Sequence, residues 1–62
     1  MSQRFVLIIE IENDAFADEP MTEVSRILRA TAERIEDGGI EATIRDLNGN
    51  TVGNYGIKYL HG

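Results

Sequence analysis

The octapeptide DLNGNTVG at residues 46–53 constrains the fold of this 62-residue chain more than any other segment. Its Asn48-Gly49 pair stands between two segments, residues 40–47 and 51–60, in which apolar side chains recur at every second position. A period of two is typical of strands, and Asn-Gly between two such runs is a strong signal for a two-residue type I′ turn. The octapeptide therefore predicts a β-hairpin with Asn48 and Gly49 as its turn.

The register of this hairpin can be checked against the apolar pattern. With Asn48 and Gly49 as the loop, all the apolar partners fall on one face, whereas a shift by one residue would bring Ile44 against the polar Asn54. Gly53 then lies opposite Ile44, where we expect a side chain to crowd the helix. The predicted pairs are Leu47 with Asn50, Ile44 with Gly53, Ala42 with Tyr55 and Ile40 with Ile57.

The first half of the chain predicts a strand followed by a helix. Residues 5–11 alternate on one face and form the first strand, and Phe16 is expected to fold back onto the core. Pro20 suits the first turn of a helix, with Asp18 or Glu19 ahead of it as a cap, and Gly38-Gly39 suits its end. The helix, residues 21–37, has an apolar stripe of Met21, Val24, Ile27, Leu28, Thr31, Ala32 and Ile35.

These elements predict an α+β fold of the βαββ type in a single domain, residues 1–62. The second and third strands are joined by the hairpin, so we expect an antiparallel sheet with the order 1-3-2 and one helix on one face. The first strand is then at an edge. A domain of this size buries only ~60% of its unfolded surface, which makes oligomerisation a natural source of further stability.

Composition excludes or disfavours several classes of function. Eleven acidic and six basic side chains give a net charge of −5, which disfavours phosphate-backbone binding, and the absence of cysteine excludes disulfides and thiolate metal sites. The apolar run that starts at Phe5 is interrupted by Glu10 and Glu12, so it is too short to span a membrane. We expect a soluble, cytoplasmic protein without membrane contact.

The polar loop is a poor metal site. Asp46, Asn48 and Asn50 match positions 1, 3 and 5 of an EF-hand loop, but the required glycine is Thr51 and the required glutamate is Ile57. We therefore expect a structural turn with no metal.

No arrangement of residues predicts catalysis. The single histidine, His61, stands next to the C-terminal glycine and has no Ser, Cys or carboxylate at a spacing that suggests a proton relay. We expect no catalytic residue, no cofactor and no enzymatic activity.

Two charged groups are candidate binding sites. An acidic group follows the first strand and offers a patch for a basic partner, although such groups are more often only solvated. Three helix arginines are the basis of an alternative, a small dimeric nucleic-acid-binding regulator, although neighbouring glutamates balance their charge. The acidic group is Glu10, Glu12, Asp14, Asp18 and Glu19, and the arginines are Arg26, Arg29 and Arg34.

The face of the sheet away from the helix is the favoured interface. Val6 and Ile8 point to that face, Val52 is expected to join them, and no segment is left to cover them. An edge strand can also pair with a second copy, so we expect a homodimer through this region. The alternative is that long side chains shield the face, namely Arg4, Arg45 and Lys58.

Three segments resemble a family of small proteins carried by bacteriophages and related mobile elements, mainly of actinobacteria. They are NDAF at residues 13–16, ILRATAERIEDGG at residues 27–39 and DLNGNTVG at residues 46–53. Members of that family have no assigned activity, so the resemblance implies a genomic setting and not a mechanism. It implies a non-enzymatic accessory protein that binds a host protein in the bacterial cytoplasm. The acidic surface of such a protein either imitates the negative charge of DNA or only keeps the protein soluble.

Overall fold

The computed structural model describes residues 2–60 and shows the predicted βαββ order. The sheet is antiparallel with the order β1-β3-β2, so the predicted α+β fold and strand order are confirmed. The elements are β1 (Ser2–Ile9), a short 3-10 helix (Asp14–Phe16), α1 (Pro20–Glu36), β2 (Ala42–Arg45) and β3 (Thr51–Leu60).

The strands flanking β3 differ from their predicted bounds. β1 begins at Ser2 and not at Phe5, because β3 is ten residues long and its second half pairs with the start of β1, from Ser2 opposite Leu60. β2 keeps only four of the eight predicted residues. Ile40 precedes it and is 66% exposed, so the predicted pair of Ile40 with Ile57 is wrong.

The hairpin register is confirmed, but its turn is wider than predicted. Ile44 lies opposite Gly53 and Ala42 lies opposite Tyr55, as the pattern requires. The Asp46 N–H donates to the Asn50 carbonyl at 2.8 Å, and the Gly49 N–H donates to the Asp46 carbonyl at 3.0 Å.

The loop therefore has three residues, 47–49. Only Gly49 in this loop has a positive φ, +86°, whereas a type I′ turn needs positive φ at both central residues. The predicted type I′ turn is wrong, and the loop is of the three-residue kind that ends in a left-handed glycine. The Asp46 side chain favours this geometry because it accepts the N–H groups of Asn48 and Asn50, each at 2.9 Å.

A bulge next to this loop reverses the position predicted for Val52. Arg45 pairs with Thr51 while Ile44 pairs with Gly53, so Val52 has no partner on β2. A bulge interrupts the strict alternation of a strand, and here it turns Val52 into the core, where it is 4% exposed. The expectation that Val52 shares the open face with Val6 and Ile8 is wrong.

The core lies between the sheet and α1. Its buried members are Phe16, Ile27, Ile44, Val52 and Tyr55. Phe16 reaches it from the 3-10 helix, as predicted. Leu7, Ile9, Ala15, Val24 and Ala42 pack against this cluster and are partly buried.

Both ends of α1 follow the sequence signals. Pro20 occupies the first turn, and Glu19 is the N-cap residue but makes no side-chain capping bond. At the other end the Gly39 N–H donates to the Arg34 carbonyl at 2.9 Å and the Gly38 N–H donates to the Ile35 carbonyl at 3.0 Å. With φ of +103° at Gly38, this is a Schellman motif.

The predicted apolar stripe of α1 is only partly buried. Ile27 and Thr31 face the core, but Met21 is 64% exposed, Leu28 46% and Ile35 36%. The helix is displaced toward β2, because the Leu47 N–H donates to the Glu23 carboxylate at 2.8 Å and Arg34 donates to the Thr43 carbonyl at 3.2 Å. The flank of α1 that carries Met21, Leu28 and Ile35 consequently lies outside the contact between the helix and the sheet and is exposed.

Candidate interaction surface

Two buried carboxylates hold the hairpin loop against the rest of the fold. Glu23 is 6% exposed and accepts two hydrogen bonds from Arg26, at 2.7 Å from Nε and 2.8 Å from Nη2. It also accepts the Leu47 N–H, so one carboxylate joins α1 to the loop. The hydrogen bonds from Arg26 keep the pKa of Glu23 below its ordinary value of 4.5, although burial acts in the opposite direction.

Asp46 is the second of these carboxylates and is 5% exposed. Burial raises its pKa, but hydrogen bonds to the carboxylate lower it by a larger amount, so its pKa lies below the ordinary 3.8. The donors are the N–H groups of Asn50 and Asn48 and the side chain of Asn13. The Asn13 amide donates to Oδ2 at 3.2 Å and ties the segment after β1 to the loop. Both carboxylates therefore have a structural role.

These lowered pKa values predict acid sensitivity. Each carboxylate stabilises the fold fully above its unfolded pKa, and the contribution is lost as the pH falls through the lower folded pKa. We expect the unfolding free energy to fall as the pH drops below about 4.5, because the unfolded chain then binds more protons than the native one.

Chemical denaturation at several pH values measures this dependence. Glu23→Gln should reduce the slope of stability against pH between about pH 4.5 and 3, because one of the two linked protons is removed. Ser25→Ala, on the same helix without a titrating group, should keep the slope of the parent chain. An identical slope in Glu23→Gln and the parent would show that Glu23 is not one of the linked groups.

The candidate nucleic-acid contacts are largely occupied within the protein. Arg26 forms the ion pair with Glu23 described above. Arg34 donates to the Thr43 carbonyl and lies over the Tyr55 ring, 5.9 Å from its centre. Arg29 is exposed and lines a shallow depression beside Arg26. The structure thus does not present the three guanidinium groups as one open row.

The acidic residues after β1 are all exposed. Three of them, Asp14, Asp18 and Glu19, line a shallow depression together with Glu23. Among residues 2–60, no three His, Asp or Glu side chains are placed to hold a metal ion. His61 lies outside the described residues.

The face of the sheet away from α1 is less apolar than predicted. Val6 is partly buried and Ile8 is 52% exposed. Val52, which was predicted to lie on the same face, is in the core. Arg4, Thr43, Arg45, Asn54 and Lys58 are the exposed neighbours on the strands of this face. Two apolar side chains among polar ones make a weak binding surface.

The larger exposed apolar area lies on the opposite face, the one that carries the helix. Phe5 is 51% exposed, and its partner Ile57 is 37% exposed on the same face. The exposed flank of α1 is opposite to the flank that binds the hairpin loop, so it is turned toward β1. We call the set Phe5, Met21, Leu28, Ile35, Ile57 and Tyr59 the helix-side apolar surface.

Sequence reasoning missed this surface because it assigned those residues to the core. A signal was present in the heptad spacing of Met21, Leu28 and Ile35, which places the three residues on a single flank. The contact of α1 is centred on the stripe of Glu23, Ile27 and Thr31, so a second stripe about 100° away lies at its margin. The apolar arc of the helix is therefore wider than the contact that it makes.

The edge of β1 adjoins this surface. Within residues 2–60, β1 pairs only with β3, so its other side presents unpaired backbone groups. The Glu10 N–H donates to the Val52 carbonyl at 2.7 Å, continuing the register in which Ile9 faces Gly53. In an antiparallel ladder alternate residues bond to the same neighbour, so the even residues of β1 bond to β3 and the odd ones point outward.

No α-helix in the part of the chain that the structure describes has the length and apolar content of a membrane span.

Comparisons of the chain with models of protein families, with curated proteins and with solved structures gave no match.

Proposed function

We propose that the protein is a non-enzymatic accessory protein, of the kind carried by phages and mobile elements, that binds another protein as a homodimer in the bacterial cytoplasm. The observation that supports this is the helix-side apolar surface beside an edge strand. Exposed apolar groups gathered on one side of a small domain are typical of an interface, and this side carries five large aliphatic or aromatic side chains plus Met21.

The charge distribution supports a protein partner. Glu10, Glu12, Asp14, Asp18 and Glu19 are all exposed around the end of β1, and the net charge is −5. Exposed acidic groups and a negative net charge raise the rate of encounter with a basic partner and add specificity. We therefore propose a partner with an apolar contact patch and a basic surface.

A capture experiment with lysate of the native host tests this proposal. The tagged chain should retain a specific protein, and Leu28→Ser should reduce that capture about tenfold, because losing a buried apolar anchor costs an interface more than about 1 kcal/mol. Ile40→Ser removes an exposed apolar side chain that precedes β2 and lies outside this surface, and it should leave capture unchanged.

Thermal unfolding of both variants shows whether a loss of capture reflects a loss of fold. Equal capture by Leu28→Ser and the parent chain would contradict the assignment of the helix-side apolar surface. Recovery of no specific protein would contradict the proposed function itself.

A further inference from the structure

We propose that the occupant of the free edge of β1 is β1 of a second copy, paired antiparallel with Leu7 opposite Leu7. This inference rests on the proposed homodimer and adds its register and its charge contacts. It is carried by the backbone geometry of β1 and by the distribution of charge along it.

Backbone geometry decides which residues can bond across the edge. Phe5, Leu7 and Ile9 direct their N–H and C=O groups away from β3, because the even residues of β1 bond to β3. Pairing about Leu7 places Phe5 opposite Ile9 of the second copy and Leu7 opposite Leu7, so odd residues meet odd residues. Each outward N–H then finds an outward carbonyl, and the ladder is complete.

The charges of β1 select this register over its neighbours. Arg4 is near one end of the strand and Glu10 directly follows the other end. Arg4 and Glu10 are each three residues from Leu7, on opposite sides of it. A two-fold axis at Leu7 therefore brings each Arg4 opposite Glu10 of the second copy. Centring on Val6 instead would place Arg4 opposite Ile8, and centring on Ile8 would place Val6 opposite Glu10.

Within one copy, Arg4 is in an unfavourable position. Its partner across the ladder is Lys58, which has the same charge, and the only ion pair among residues 2–60 is that of Glu23 with Arg26. Like charges directly opposite each other destabilise a sheet, and opposite charges stabilise it. A carboxylate on the other side of Arg4 compensates for Lys58.

The pairing also covers apolar surface. Paired residues of a sheet share a face, so a two-fold axis perpendicular to the sheet keeps both helices on the same side. Phe5, Leu7 and Ile9 of the two copies then form the floor of one continuous six-stranded sheet between the helices. Val6 and Ile8 are paired with each other on the opposite face.

Charge reversal tests the register. Arg4→Glu and Glu10→Arg each convert both cross-strand contacts of the dimer to repulsion, and sedimentation analysis at low ionic strength should show the dimer dissociation constant raised about tenfold. Mixing the two variants should restore association, because every contact in the mixed dimer joins opposite charges. Arg45→Glu on β2, an equal charge change at the opposite edge of the sheet, should leave the dissociation constant unchanged.

Each outcome decides the proposal. A monomeric parent chain at about millimolar concentration overturns it, and so does a dimer that ignores both single reversals or that mixing fails to restore. Far-ultraviolet circular dichroism confirms that each variant is folded before it is scored. Specific capture of a host protein through Leu28 by a monomeric chain would leave the proposed binding function standing while this inference fails.

Discussion

Replacing Gly53 with alanine is expected to unfold most of the protein at room temperature or to lower its melting temperature by more than about 12 °C. A Cβ at this position would overlap the Ile8 carbonyl oxygen and lie 2.8 Å from the Ile8 carbonyl carbon. Because these are backbone atoms of the neighbouring strand, no rotamer change relieves the clash. Overpacking of this kind costs about 3 kcal/mol or more, and a domain of this length has only about 3–9 kcal/mol in total.

Gly49→Ala is the matched control for this substitution. A Cβ at Gly49 meets no atom within 4 Å, so the only cost is its positive φ of +86°. We expect a loss of about 1 kcal/mol and a fall in melting temperature of about 4–8 °C. Thermal unfolding of the two variants in parallel measures both effects, and equal losses would contradict the close approach of β3 to β1 at Gly53.

The position of Gly53 was predictable from sequence, but the reason for it was not. The register requires Gly53 opposite Ile44, and the structure has this pair. The neighbour that excludes a side chain, however, is the backbone of β1 and not the helix. The bulge at Val52 bends β3 at this point, and a bulge depends on the closing geometry of the loop, which the Asn-Gly pair alone does not define.

Local signals gave the most accurate predictions. β3 has its predicted bounds, and Gly38-Gly39 ends α1 in the Schellman motif. Both depend on residues that are near each other in sequence. The type I′ turn was wrong because Asp46, just outside the predicted loop, binds the N–H groups of Asn48 and Asn50.

Long-range placement could not be predicted in the same way. Glu23 is buried because it binds the Leu47 N–H, which is 24 residues away, and Asp46 binds Asn13 over 33 residues. Those contacts displace α1 toward β2 and leave its other flank exposed. The candidate surface therefore lies on the face that carries Phe5 and Leu28, and not on the predicted face that carries Val6 and Ile8.

The burial of Tyr55 shows how the exposed and buried parts of the helix side meet. Its hydroxyl donates to the Gly39 carbonyl at 3.2 Å, and its ring is 5.9 Å from that of Phe5. Tyr55 is 3% exposed whereas Phe5 is 51% exposed, so the boundary of the core runs between β3 and β1. Any partner strand added to β1 extends the core across this boundary.

Hydrogen exchange tests the pairing of β1 with a second copy most directly and needs no substitution. The proposed register bonds the amides of Phe5, Leu7 and Ile9 only in the dimer, whereas the amides of Val6 and Ile8 bond to β3 in every copy. A bonded amide in a sheet exchanges only when the structure opens, and raising the protein concentration increases the dimer fraction.

We expect the odd amides to exchange at least about tenfold more slowly in concentrated than in dilute protein, with the even amides protected equally in both. The even amides serve as the internal control for overall stability. If the amides of Phe5, Leu7 and Ile9 exchange rapidly and at one rate at every concentration, β1 does not pair with a second copy.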